Sequence, residues 1–130
     1  MIALDTNVLA RLLLDDEPRQ AQHAERLLAA HADCWIPVTV LLELAWVLRS
    51  AGYDRARVVH ALSRVTAMTN VRPQNPEAVR RALAWSEAGV DIADALHLAL
   101  SPPAEIFATF DADLVAKAAQ LALTPKVRLP

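Results

Sequence analysis

Three short segments, Ile2–Leu4, Cys34–Val38 and Ile106–Phe110, constrain the fold more than any other feature of the chain. Each is apolar at successive positions instead of alternate ones, so each reads as a strand covered on both faces. Strands of that kind belong to parallel sheets, whose neighbours are joined by helices packed on the sheet.

The intervening sequence supplies those helices. Asp5-Thr6-Asn7 ends the first strand and leads into a helical turn through Val8–Leu13, which Asp15-Asp16-Glu17 interrupts. Pro18 suits the first turn of a new helix, in which Ala24, Leu27, Leu28 and Ala32 recur at helical spacing. Thr39 is expected to cap a helix running to about Ser50, closed by Ala51-Gly52-Tyr53. Asp54 opens another to about Met68, and Asn70–Gln74 is a short link or strand. Asn75-Pro76-Glu77 starts a helix through Trp85, and Asp91–Leu100 forms a short one ended by Pro102-Pro103. A last helix is expected over about Leu114–Leu121, with Lys126–Leu129 as an edge strand.

Strands therefore alternate with helices, which predicts an α/β sandwich: a central parallel sheet of four to five short strands flanked by helices. A chain of 130 residues fits one such domain, residues 1–130. Its hydrophobic fraction of 55% against 22% charged residues is enough for a buried core. No apolar run approaches the roughly 20 residues needed to span a bilayer. The opening Met1–Asp5 has no basic region, so no ordinary secretory signal is expected. The single cysteine, Cys34, sits beside Trp35 and Ile36 and reads as a small core residue, which agrees with a cytoplasmic location. A net charge of −2 is unlike a protein that holds nucleic acid by a broad basic face, though a nuclease with its acids gathered at one metal site and its bases elsewhere is compatible with it.

The acids are unevenly placed. In open parallel sheets, ligands bind at the carboxyl ends of the strands, and Asp5 and Asp111 each follow directly on an expected strand. Aspartate there also caps the following helix, so capping and catalysis both stand for Asp111. Glu43 is the one charged residue in the nine from Val40 to Leu48. Either it is buried and requires a metal or another cation, since an unpaired buried carboxylate is costly, or it occupies a thin outward stripe. Asp91 and Asp94 share a helical face, with His97 one turn on. Asp91 suits the N-cap, where its charge meets the helix dipole. Asp94, deeper among apolar neighbours, is the better ligand. His97 is either a hydrogen-bond donor to this group or a satisfied core residue.

An all-oxygen cluster of this kind is the environment of Mg²⁺ or Mn²⁺, and the lack of grouped Cys and His argues against zinc. A hard cation among carboxylates is what phosphodiester hydrolysis uses. Without one, the same acids repel each other and a phosphate backbone.

Four motifs in order, Ile2-Ala3-Leu4-Asp5-Thr6-Asn7-Val8-Leu9, Val38-Thr39-Val40-Leu41-Leu42-Glu43-Leu44, Asp91-Ile92-Ala93-Asp94-Ala95 and Ala108-Thr109-Phe110-Asp111-Ala112-Asp113, closely resemble PIN domains. Their order and spacing in one short chain, from residue 2 to about 125, is similar to VapC-type toxins of toxin–antitoxin pairs. The resemblance implies an endoribonuclease using Mg²⁺ or Mn²⁺, with Asp5, Glu43, Asp94 and Asp111 as its acidic quartet. It also implies Thr6, Asn7 and Thr109 as polar companions, Asp113 and Asp91 as secondary acids, a homodimer, and a cognate antitoxin protein that enters the acidic site.

Three other readings stand beside it. One is a PIN-like nuclease of RNA processing outside a toxin pair. Another is a non-catalytic binding module, which would be marked by loss of a quartet acid, and none is missing. The third, a phosphoacceptor receiver-like domain, wants paired acids after the first strand, whereas Asp5 stands alone and Glu43 inside a helix has no place in it. Arg11, Arg49, Arg80 and Arg81 are candidate backbone contacts for RNA, and Trp85 is either a base platform beside Arg80-Arg81 or a core residue.

Overall fold

The doubly apolar segments become strands where expected, and every strand pairing is parallel. The computed structural model describes residues 1–130 as five strands and seven helices. They fall into two compact units, Met1–Pro76 and Glu77–Pro130.

The first unit contains β1 (Ile2–Ala3), α1 (Thr6–Leu14), α2 (Pro18–Ala30), β2 (Cys34–Ile36), α3 (Val38–Ser50), α4 (Arg55–Thr66) and β3 (Val71–Pro73). Its sheet has the order β1-β2-β3, with Ile2 opposite Cys34 and Cys34 opposite Val71. Cys34 and Ile36 are fully buried at the centre of this sheet. Burial, and secondarily the Asp33 charge, pushes the Cys34 thiol up, which keeps it a protonated, small core side chain. The buried stripes of α3 (Leu41, Leu44, Leu48) and α4 (Val58, Leu62, Val65) complete the core. Gly52, at φ +97°, makes the left-handed turn that ends α3.

The second unit contains α5 (Pro76–Glu87), which begins at the boundary residue, then α6 (Ile92–Ala99), β4 (Ile106–Ala108), α7 (Ala112–Gln120) and β5 (Lys126–Arg128). Here β4 pairs with β5, Ile106 opposite Lys126, and α7 packs on β5. Buried residues of this unit include Val79, Ala82, Leu83, Leu96, Leu98 and Leu114.

Three expectations need adjustment. The five strands are shared between a three-stranded and a two-stranded ladder, one in each unit. Neither β1 nor β4, both edge strands, is covered on both faces: Ala3, Ile106 and Ala108 are exposed and Ile2 and Phe107 half-buried. Thr39 does not cap α3, which starts at Val38 behind Pro37 with no side-chain cap from that residue. The Val38 N–H instead donates to Gln74 Oε1 at 3.0 Å, across 36 residues. No helix is long and apolar enough to cross a membrane.

Candidate active site

Asp5 leaves β1 and becomes the N-cap of α1, its Oδ1 accepting from the Thr6 N–H at 2.8 Å. That bond fixes the carboxylate at the carboxyl end of the strand while Oδ2 stays outside it. Thr6 is buried, and its hydroxyl Oγ1 has no hydrogen-bond partner. Asn7 is exposed and lines a groove of about 620 Å³ between α1 and α2, shared with Arg11, Gln20 and His23.

Glu43 lies on α3, but on its exposed face. Leu41, Leu44, Ala45 and Leu48 take the buried side, leaving Thr39, Glu43, Trp46 and Ser50 on the outward stripe. The reading of Glu43 as an acid forced into an apolar interior therefore does not hold. The helix has an outward stripe after all, hidden in the sequence because Trp46, an apolar type, sits on it at 69% exposure.

In the second unit the acids crowd. Asp91 N-caps α6, its Oδ2 accepting from the N–H groups of Ala93 at 3.1 Å and Asp94 at 3.4 Å. Asp94 follows in the first turn of α6, half-buried. Burial is the main cause holding its carboxyl above the usual carboxylate range, reinforced by the charges of Asp91 and Asp111, with His97 pulling the other way. His97 itself is exposed, so it is not a core residue. Asp111 follows β4 and N-caps α7, its Oδ1 accepting from Asp113 N–H at 3.0 Å and Leu114 N–H at 3.1 Å. Its own N–H donates to Thr109 Oγ1 at 3.1 Å. Thr109 is in turn anchored by its N–H to the Arg128 carbonyl, one residue beyond the β4–β5 ladder. Asp113 is exposed in the first turn of α7.

The donor chemistry fits a hard divalent cation. Every candidate ligand is an oxygen, and the Thr6 hydroxyl is a buried oxygen with no other partner. Asp94, whose charge is disfavoured first by burial and then by Asp91 and Asp111, is relieved by a positive charge. In neither unit do three or more His, Cys, Asp or Glu side chains stand close enough to enclose an ion.

The arginines expected as RNA contacts are mostly engaged. Arg11 pairs with Asp16 at 2.7 Å, Arg80 pairs with Glu77, and Arg81 donates to the Ala99 carbonyl at 3.1 Å. Arg49 is exposed in the last turn of α3, and Trp85 is half-buried. Two exposed aromatics beside candidate acids, Trp46 and Phe110, escaped the sequence reading. For Trp46, the three-residue spacing from Glu43 was the available signal.

The sequence profile of one family, the PIN domain, matches residues 2–120. No curated protein and no solved structure matches the chain.

Proposed function

The chain belongs to the PIN-domain family, and on that premise we propose that it is a Mg²⁺- or Mn²⁺-dependent endoribonuclease, the toxin of a toxin–antitoxin pair. PIN domains are generally nucleases and typically depend on divalent metal. The observation that carries the reading is the stress on Asp94, whose charge is disfavoured first by burial and then by Asp91 and Asp111. An acid held in that state at the start of a helix gains most when a cation arrives.

The family resemblance assigns the metal to Asp5, Glu43, Asp94 and Asp111; a bound ion would lower the pKa of water and offset negative charge developing on the phosphate. The remaining work belongs to the chain. Asp5 and Asp111 each keep one carboxylate oxygen fixed by helix N–H groups, so the other is oriented toward ligand instead of rotating freely. Thr109 steadies Asp111 through its backbone. Asp91 fixes the first turn that carries Asp94, and Thr6, Asn7 and Asp113 supply further polar oxygen and amide groups beside the acids.

The toxin role, with a cytoplasmic setting, a homodimer and a protein antitoxin as partner, is supported by the resemblance of all four motifs in one short chain. A neighbouring gene whose product binds this chain and silences it would support that part separately.

The purified chain is expected to cleave single-stranded or structured RNA with Mg²⁺ or Mn²⁺ and not with EDTA. Asp5→Asn and Asp94→Asn should each lower the rate by at least about 10- to 100-fold, the loss seen on removing even an outer partner of a metal. Cleavage unchanged in both variants would sink the assignment.

A further inference from the structure

Of the six aromatic residues in the chain, two stand largely in solvent: Trp46 at 69% and Phe110 at 88% exposure. Each adjoins a proposed acid. Trp46 lies three residues after Glu43 on α3, so both share the outward face. Phe110 immediately precedes Asp111, between the end of β4 and the start of α7. We propose that Trp46 and Phe110 are stacking platforms that hold unpaired bases of a single-stranded RNA beside Glu43 and Asp111. This rests on the ribonuclease reading and names how the substrate is held.

The need for such platforms follows from charge. The chain carries a net charge of −2, and its proposed site is made of acids, so phosphates gain little by approaching before a cation is in place. Stacking does not depend on charge, and every base has a face to offer. Exposed aromatics beside the acids supply attraction where electrostatics gives none, and Arg49, three residues beyond Trp46, offers a cation to an adjoining phosphate.

The surroundings of Trp46 favour a base over a protein partner. The core of a protein interface is a contiguous apolar patch depleted in charge. Trp46 instead shares its stripe with Thr39, Glu43 and Ser50, while Phe110 follows the exposed Ile106 and Ala108 of β4 and directly precedes Thr109's partner Asp111. A single ring with polar neighbours matches a nucleotide, whose flat apolar face is edged by polar groups. In this account both aromatics are positioning residues.

The test uses the full chain in EDTA, with a fluorescein-labelled single-stranded RNA of mixed sequence and an abasic ribose-phosphate strand of equal length. Fluorescence anisotropy should show that Trp46→Ala and Phe110→Ala each weaken binding of the intact RNA by about 5- to 100-fold. The abasic strand should bind wild type and variants alike. Trp46→Phe and Phe110→Tyr, which keep a ring, should retain most of the affinity. With Mn²⁺ present, the alanine variants should raise KM and leave kcat within about threefold of wild type. Unchanged RNA affinity in either alanine variant overturns the proposal for that ring, and an equal loss on the abasic strand overturns it for both. A lower sedimentation mass with RNA affinity intact also overturns it, assigning the rings to a contact between copies. Because binding is read without metal, the two readings fail separately: a wild-type chain that stacks bases but cleaves no RNA contradicts only the ribonuclease assignment.

Discussion

Asp94 is the residue at which stability and function pull apart. Its carboxyl is held up by burial and by Asp91 and Asp111, so the folded chain binds a proton there more tightly than the unfolded chain does. Metal-free stability at this site is therefore greatest at low pH and falls as pH rises from the unfolded value near 3.8 through the higher folded one. At neutral pH the penalty is fully present. Asp94→Asn should raise the metal-free Tm, by up to about 4 °C given partial solvent screening, while abolishing cleavage. A fall in Tm would mean that the carboxylate is structurally favourable as it stands. Glu43→Gln should behave differently: Glu43 is exposed, so its metal-free stability should stay within about 0.5 kcal/mol of wild type by urea denaturation. The contrast shows what was legible at this scale. Asp91 as an N-cap and Asp111 as both cap and candidate ligand follow from the residues around them. The exposure of Glu43 did not follow, because hydropathy reads Trp46 as interior and cannot tell an exposed ring from a buried one.

Among elements, the legible parts are those set by local chemistry. Doubly apolar strands, a proline at the start of α2, an aspartate before α4 and a glycine after α3 each act within a few residues. The illegible parts depend on residues distant in sequence. The first N–H of α3 is satisfied by Gln74, and the end of α2 is tied down by Asn70, whose Nδ2 donates to the carbonyls of Leu28 at 2.9 Å and His31 at 3.0 Å. Those carbonyls sit at the C-terminal end of α2, where that of Leu28 otherwise accepts only the His31 N–H at 3.3 Å. No pattern in either segment announces a bond across about 40 residues. Asn70→Ala should cost about 1–2 kcal/mol by removing both of these side-chain bonds. Asn70→Asp should cost more, about 2–3 kcal/mol, because it turns an acceptor toward two acceptors. Urea denaturation with an unchanged m value would check both, and equal stability of the two variants would contradict the donor role of Nδ2.

For the whole molecule, charge decides how RNA can be bound. Thirteen basic residues face fifteen acidic ones, and several of the basic ones are already occupied: Arg11 with Asp16, Arg72 with Asp33, Arg80 with Glu77, and Arg57 over the Tyr53 ring at 3.9 Å. Each such pair withdraws a cation from phosphate contact. Proteins that hold nucleic acid through their basic residues release one counterion per phosphate, and their affinity for single strands falls with salt at a log–log slope of about −0.7 per contact. With a net charge of −2 and three arginines held in ion pairs, this chain should show a shallow slope in EDTA, about −1.4 to −2.1, equivalent to two or three phosphates. Anisotropy titrations of single-stranded RNA over a range of monovalent salt would measure it. A slope steeper than about −4 would reveal a basic surface assembled in solution, as a homodimer could do by joining arginines from two copies, and would move the source of RNA affinity away from the acids and their neighbouring rings. A shallow slope has a functional consequence: attachment to RNA would rest on base stacking more than on phosphate contacts, so RNA could be held before the divalent cation that cleavage requires arrives.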